Sequence, residues 1–595
     1  MSTESEIRAV RPVRAAEAFA IRAWRAARAA ATPLVVAAVA LSAAMVTFSA
    51  GSAGAAETPI PRPLPNQAEL EALTARFAPV EIRVELAALP AHERQALTRL
   101  IQASKLIDGI YLRQVSPSNT SIMLDLTQDE SPLGKARLHY FVLNKGPWSE
   151  LDKDRPFLPN VGARSPAANF YPIDAQREEV DRWIRSLTDK QRTDATGFFT
   201  TIRRTPDGKL TAVPYSIEYQ GELQEASRLL SEAAALTSQP TLKSFLDKRA
   251  KAFLSNDYFE SDIAWMELNA SIEPTIGPYE VYEDEWFNYK AAFESFIAVV
   301  DSKETEKLAR FGKELQGLED KLPIEARFRK KIGGLSPIRV VNLVYSAGDG
   351  YHGIQSAAFN LPNDERVVAA KGSKRVMLHN FQQAKFASVL MPLAKLTLSP
   401  SDQALVSFDS FFTHILMHEL MHGLGPQTIL VGDRETTVRQ ELKELNGLLE
   451  ESKADISGLW ALQQLMDKGV LDKKQEASMY VTFLASAFRT LRFGLNEAHA
   501  KGMAMQLNYL MDHGAVVRNS DGTFRVNVAK AKTATAGLTH DLMTIQAHGD
   551  YAAAAALVKR AVVIRPEIQE ALDRTKAVAI DIEPRFVTAE ELVRQ

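Results

Sequence analysis

From Glu81 onward the apolar residues fall mostly three and four apart, the period of an amphipathic helix. Leu86, Leu89, Leu97, Leu100, Ile101, Leu106, Ile107 and Ile110 open the pattern. Leu223, Ala226, Leu229, Leu230, Ala233 and Leu236 repeat it inside a helical stretch expected over 174–255. Two β-branched, apolar runs, 296–300 and 338–345, read as strands. The segment 272–282 alternates but carries Pro274, Gly277 and Pro278, which suits an edge strand or an extended segment lining a cleft. Between Tyr140 and Tyr171, turn residues sit beside large aromatics, as in Gly146-Pro147-Trp148, so this part is expected to be ordered but irregular. From Ser401 the chain reads as nearly all helix, with periodic stretches at about 456–468, 473–512 and 550–575. The pattern is thus mostly α with a smaller mixed α+β part.

The amino terminus departs from this. Six arginines between Arg8 and Arg28 precede an uncharged run, 34–48, and a small-residue exit, Ser49-Ala50-Gly51-Ser52-Ala53-Gly54-Ala55-Ala56. A basic start, an apolar core of about fifteen residues and small residues after it predict a signal peptide over 1–56 and an exported, periplasmic or secreted protein. The run is short for a spanning helix, and the alternative is an inner-membrane anchor left uncleaved. Residues 57–68 read as a proline-rich, extended tether.

Composition narrows the chemistry. The 595 residues are 46% hydrophobic and 24% charged with net charge −3, values of a globular chain with no footprint for nucleic acid. There is no cysteine, which excludes a disulfide, a thiolate nucleophile and a sulfur-ligated metal. Gly348, Gly350 and Gly353 superficially match a dinucleotide-binding loop, but no helix follows, so these glycines are expected to let backbone approach a ligand or another strand.

The chemistry-bearing stretch is His418-Glu419-Leu420-Met421-His422, at the end of the apolar run 411–417. On a helix, residues four apart share a face, so both imidazoles can aim at one zinc ion while Glu419 flanks it as proton acceptor. The zinc helix should stop at Gly423-Leu424-Gly425-Pro426, and Thr437-Val438-Arg439-Gln440 should cap the next one. A zinc site of this type takes one carboxylate more. Leu449-Glu450-Glu451-Ser452-Lys453-Ala454-Asp455 offers it if the second helix packs antiparallel to the first. Glu451 is the expected third ligand, and Asp455, on the same face, the acceptor that fixes the tautomer of a ligand imidazole. His414, one turn before His418, could join this support or be plain core.

These segments together resemble the dipeptidyl peptidase III family of zinc peptidases. The likeness rests on the two motifs just quoted and on three weaker stretches: Ile276-Gly277-Pro278-Tyr279-Glu280-Val281-Tyr282 with Phe293-Glu294-Ser295-Phe296, Asn360-Leu361-Pro362-Asn363-Asp364-Glu365-Arg366, and Glu497-Ala498-His499. The resemblance implies two lobes around a wide cleft: 69–260 as a mostly helical region, 261–400 as a mixed lobe lining the cleft, and 401–595 as the helical lobe carrying one Zn2+. It implies short peptide substrates, with dipeptides released from a free amino terminus held by Glu273, Asn360 and Asn363, and His499 donating to the developing oxyanion. It says nothing of oligomeric state. Three departures stand out. The family's histidines are usually five apart, where here they are four. A carbonyl-polarising Tyr aligns with Thr275, leaving Tyr279 or Tyr282 to substitute. An Arg one turn after the family His is Met503 here. An aminopeptidase, an endopeptidase or a non-catalytic peptide-binding protein on the same scaffold are the alternatives.

Overall fold

The computed structural model describes residues 63–332, 337–495 and 498–594. The expected signal segment, half of the tether and Glu497 lie outside these. The tether ends sooner than its prolines suggest, because Asn66 caps a helix α1 (Gln67–Thr74) in a full capping box with Glu69. Glu81 lies not in a helix but in strand β1 (Phe77–Ile82). The three–four pattern becomes helix α2 (Ala91–Val115), with Leu97, Leu100, Ile101, Ile107 and Ile110 all buried. The stretch 174–255 contains a hairpin, β2 (Thr200–Arg204) and β3 (Leu210–Pro214), before helices α3 (Gln220–Leu236) and α4 (Pro240–Ser255).

A five-stranded sheet follows: β4 (Ile272–Glu280), β5 (Ala292–Val300), β6 (Ile338–Gly348), β7 (Ala358–Leu361) and β8 (Lys374–Leu378), in spatial order β4-β5-β6-β8-β7. The proline-broken β4 is indeed an edge, as a strand with missing donors must be. Gly348 has φ +64°, and a Cβ there would lie 2.3 Å from the Phe293 carbonyl oxygen. The glycine therefore serves close approach of β5 and β6 rather than a phosphate loop. On β8 the two faces diverge. Val376 and Leu378 enter the core built on α2, α3 and the sheet, whereas Met377 enters the core of the helical lobe. This period of two sets Arg375 on the face that looks at the helical lobe.

Helix α5 (His379–Lys385) still packs Phe381 and Ala384 into the first core, and the helical lobe comprises α6 (Phe408–Met421), α7 (Asn446–Asp467), α8 (Glu476–Leu491), α9 (Ala498–Asp512) and α10 (Val528–His548). The expected run 473–512 is broken between α8 and α9 at Gly494, φ +80°. The chain then returns. Strand β9 (Asp581–Phe586) pairs in parallel with β1, and helix α11 (Val587–Arg594) places Ala589 and Leu592 in the first core. The expected lobe 401–595 is corrected accordingly: its last fourteen described residues belong to the opposite lobe. Conversely, the helix Ser302–Glu319, assigned by sequence to the mixed part, packs Leu308, Phe311 and Leu315 into the helical lobe.

Candidate metal centre

Helix α6 is apolar nearly all round because it is enclosed: Phe411, Phe412, Leu416, Met417 and Leu420 all join the helical core. His418 and Glu419 are buried in the same helix, at 7% and 8% exposure, so their polar atoms need partners supplied by folding. Helix α7 supplies them. His414 Nε2 meets the Asp455 carbonyl at 2.9 Å, His418 Nδ1 meets Asp455 Oδ1 at 2.7 Å, and His422 Nδ1 meets Glu450 Oε1 at 2.8 Å. One number rises as the other falls, so the two helices run antiparallel.

Carboxylates only accept, so each Nδ1 is the donor and both Nε2 atoms present lone pairs. Those Nε2 atoms face each other at 3.1 Å, with Glu451 Oε2 at 3.4 and 3.7 Å from them. Glu451 Oε2 is buried and receives no hydrogen bond. Two imidazole nitrogens and a carboxylate oxygen converging on one point become a ligand set once a cation lies among them. Two imidazoles and one carboxylate fit zinc with a position left for water. Burial by itself would raise the carboxyls behind the imidazoles. His418 outweighs it for Asp455, holding that group far below its ordinary value, and Lys453 with His422 hold Glu450 at about 2. Gln546 of α10 also donates to Glu450 Oε2 at 3.0 Å.

His499, on α9, brings Nδ1 within 3.4 Å of Glu451 Oε2, and its ring lies 6.1 Å from that of His418. His414 is buried, held neutral by desolvation, and ties α6 to α7. The sequence missed two residues. Glu450, given no role by the sequence, orients His422. Arg375, from β8 of the other lobe, forms an ion pair through Nη1 with Glu419 Oε2. A signal for Arg375 existed: a lone arginine heads the otherwise apolar run Val376-Met377-Leu378.

The expected amino-terminus anchor is not assembled. Glu273 is 1% exposed and bonded to Lys374 Nζ at 2.5 Å, with Arg339 at 3.8 Å. Lys374 points opposite to Arg375, into the sheet lobe, and takes Glu273 with it. Asn360 does pair across the sheet with Arg375, on the cleft-facing side. Asn363 instead bonds the Tyr279 carbonyl at 2.9 Å and Glu280 Oε2 at 3.2 Å. Thr275 is 1% exposed on β4, and Tyr279 lies over Arg249 in the same lobe; neither lines the cavity at the metal centre, whereas Met503 does. A second set of donors, Glu283, Asp349 and His352, gathers round the Tyr111 hydroxyl, and Arg164 already neutralises Glu283. It reads as a buried polar network that fastens loops to α2.

Two lobes, a cleft between them, and a His-His-Glu donor set with a glutamate beside it define a metallopeptidase. Comparison with known proteins agrees. The model of peptidase family M49 matches residues 200–435, which include both histidines and stop short of Glu451. The structure of dipeptidyl-peptidase III from Corallococcus sp. strain EGB is 58% identical, covers 90% of this chain and 99% of its own, and superposes with a TM-score of 0.73. The structure of DPP III from Caldithrix abyssi is 44% identical over 88% of this chain and all of its own, with a TM-score of 0.84. A protein named Nudix hydrolase 3 from Arabidopsis thaliana is 42% identical over 571 residues, 87% of this chain and 74% of that protein. The chain belongs to the dipeptidyl-peptidase III family, peptidase family M49.

Proposed function

We propose that the protein is a zinc-dependent peptidase that cleaves short peptides and releases dipeptides from a free amino terminus. The observation that carries the metal is the convergence of His418 Nε2, His422 Nε2 and Glu451 Oε2 on one point, with Glu451 Oε2 buried and unbonded. A zinc ion held by these three would polarise the scissile carbonyl and bring the pKa of a water toward about 7. Glu419 takes the proton of that water and returns it to the leaving amine. Asp455 and Glu450 fix the histidine tautomers. His499 donates to the oxyanion as it develops. Arg375 holds the Glu419 carboxylate in an ion pair. Glu419→Gln is expected to abolish turnover while zinc remains bound at one per chain; retained turnover would sink this mechanism.

The length of the released fragment rests on the family name of the relatives. One observation favours single-residue or internal cleavage instead: Glu273 is engaged by Lys374 rather than offered to an ammonium group. Incubating the protein with free-amine and N-acetylated hexapeptides, with and without chelator, and weighing the products separates the readings. Chelator-sensitive dipeptides from the free amine alone support dipeptide release, and cleavage of the acetylated peptide refutes it. The 1–56 segment fits an export signal, and Edman sequencing of mature protein from the cell envelope would test that.

A further inference from the structure

A cavity of about 170 Å³ opens beside the metal centre and extends away from it along α8. Near His418, Glu419 and His499 it carries the catalytic groups, and its middle is apolar, walled by Phe411, Ile415, Phe483, Phe493 and Met503. Its far wall is cationic. Lys385 there is bonded to Asp581 at 2.9 Å. Arg489 is not bonded to anything: its Nε is buried without a partner, and its guanidinium makes no hydrogen bond or ion pair among the described residues. Arg492, close by along the chain, spends its guanidinium on the carbonyls of Ala579 and Val578, at 2.8 and 2.6 Å. Lys385 and Arg489 therefore share one carboxylate, Asp581, which Lys385 and the Gln355 amide already engage. An enclosed guanidinium with no anion bonded to it is costly to keep, and desolvation weighs on Arg489 against the attraction of Asp581. The cost is recovered when an anion enters from the cavity it lines, and guanidinium is the group whose fork matches a carboxylate.

We infer that this cavity seats the leaving half of the peptide and that Arg489 binds a carboxylate carried by that half. The inference deepens the peptidase reading and rests on it for the identity of the ligand. The carboxylate has two sources, the free carboxy terminus of a short peptide or an acidic side chain beyond the cut. A carboxy-terminal carboxylate would make the enzyme selective for peptides short enough to reach Arg489 from the metal, since each extended residue spans at most about 3.6 Å.

The test uses the zinc-loaded full chain carrying Glu419→Gln, so that peptides bind without turnover, and calorimetry with three tetrapeptides: tetra-alanine as free acid, tetra-alanine as carboxy-terminal amide, and Ala-Ala-Glu-Ala amide. The acid is expected to bind at least roughly tenfold tighter than the amide, the size of one charge-assisted hydrogen bond. Arg489→Gln should erase that difference, and Arg489→Lys should keep part of it. Equal gains for the glutamate-bearing amide, lost in the same way, assign the side chain as source. Equal binding of all three peptides overturns the inference, as does a loss in Arg489→Gln that is the same for acid and amides. If Arg489→Gln fails to melt cooperatively or to hold zinc, the acid–amide contrast in the Glu419→Gln protein and its response to Arg489→Lys decide. Wild-type cleavage of the same peptides, read by mass, runs alongside. Cleavage with equal binding of all three peptides refutes this inference alone, and tighter binding of a carboxylate-bearing peptide without cleavage refutes the peptidase reading alone.

Discussion

Two carboxylates and one guanidinium, none of them a metal ligand, set the metal centre's working geometry. Asp455 accepts from His418 at 2.7 Å, so its oxygen decides which imidazole nitrogen faces the metal. Asp455→Ala removes that acceptor but keeps the main-chain carbonyl that holds His414. Zinc affinity is expected to fall by roughly 10- to 100-fold, read by competition with a chelator of known affinity, with little change in melting. Arg375 acts on Glu419 instead. Arg375→Met leaves a buried carboxylate without its cation, so kcat should fall by roughly tenfold or more while zinc content holds. An unchanged kcat would show that the ion pair only fastens the lobes. Helical spacing alone puts His418 and His422 on one face with Glu419 beside them, whereas Glu451 and Asp455 were legible only on the further condition that a second helix packs antiparallel, which α7 does. Arg375 and Glu273 were not, because a strand's alternation says which residues share a face but not which face meets which lobe.

At the scale of elements, the site depends on α7 lying close to both α6 and α9. Small residues at the crossings allow this. A Cβ on Gly502 of α9 would come 2.6 Å from Ser452 Oγ, next to the ligand Glu451. Gly502→Ala should therefore push α9 and its His499 away from α7, costing about 1–3 kcal/mol and lowering turnover together with melting temperature. Gly447, at the start of α7, has nothing within 4 Å of its added Cβ. Gly447→Ala should be neutral or stabilise by up to about 1 kcal/mol, and it serves as the control for helix propensity. Thermal melts of the two variants check both signs. Strong periodicity made α2, α3, α6 and α7 readable in the chain. The hairpin of β2 and β3 was lost inside helical neighbours because each strand has only five residues. Strand β1 was lost because its partner strand lies 504 residues away at β9.

That distant pairing governs the molecule as a whole. Phe77 opposes Asp581 and Ile82 opposes Phe586, so the sheet lobe is completed by the last residues of the chain, with the whole helical lobe threaded between. Asp581 also anchors Lys385 on the cavity wall, which couples closure of the fold to the substrate cavity. Outside the strand pair, His139 Nε2 reaches Glu583 Oε1 at 2.6 Å. The Glu583 hydrogen bond raises the His139 pKa above 6.5, against an opposing effect of burial. A raised folded pKa means that the unfolded chain releases its proton first as pH rises. The stabilisation from protonated His139 is therefore complete below about pH 6.5 and disappears as pH climbs through the folded value. Half of the imidazole is exposed, so screening limits the effect to about 0.5 kcal/mol. His139→Asn should thus melt slightly earlier than wild type near pH 5.5 and together with it near pH 9. An equal gap at both pH values would mean that the contact holds the β1–β9 clasp by packing and not by charge.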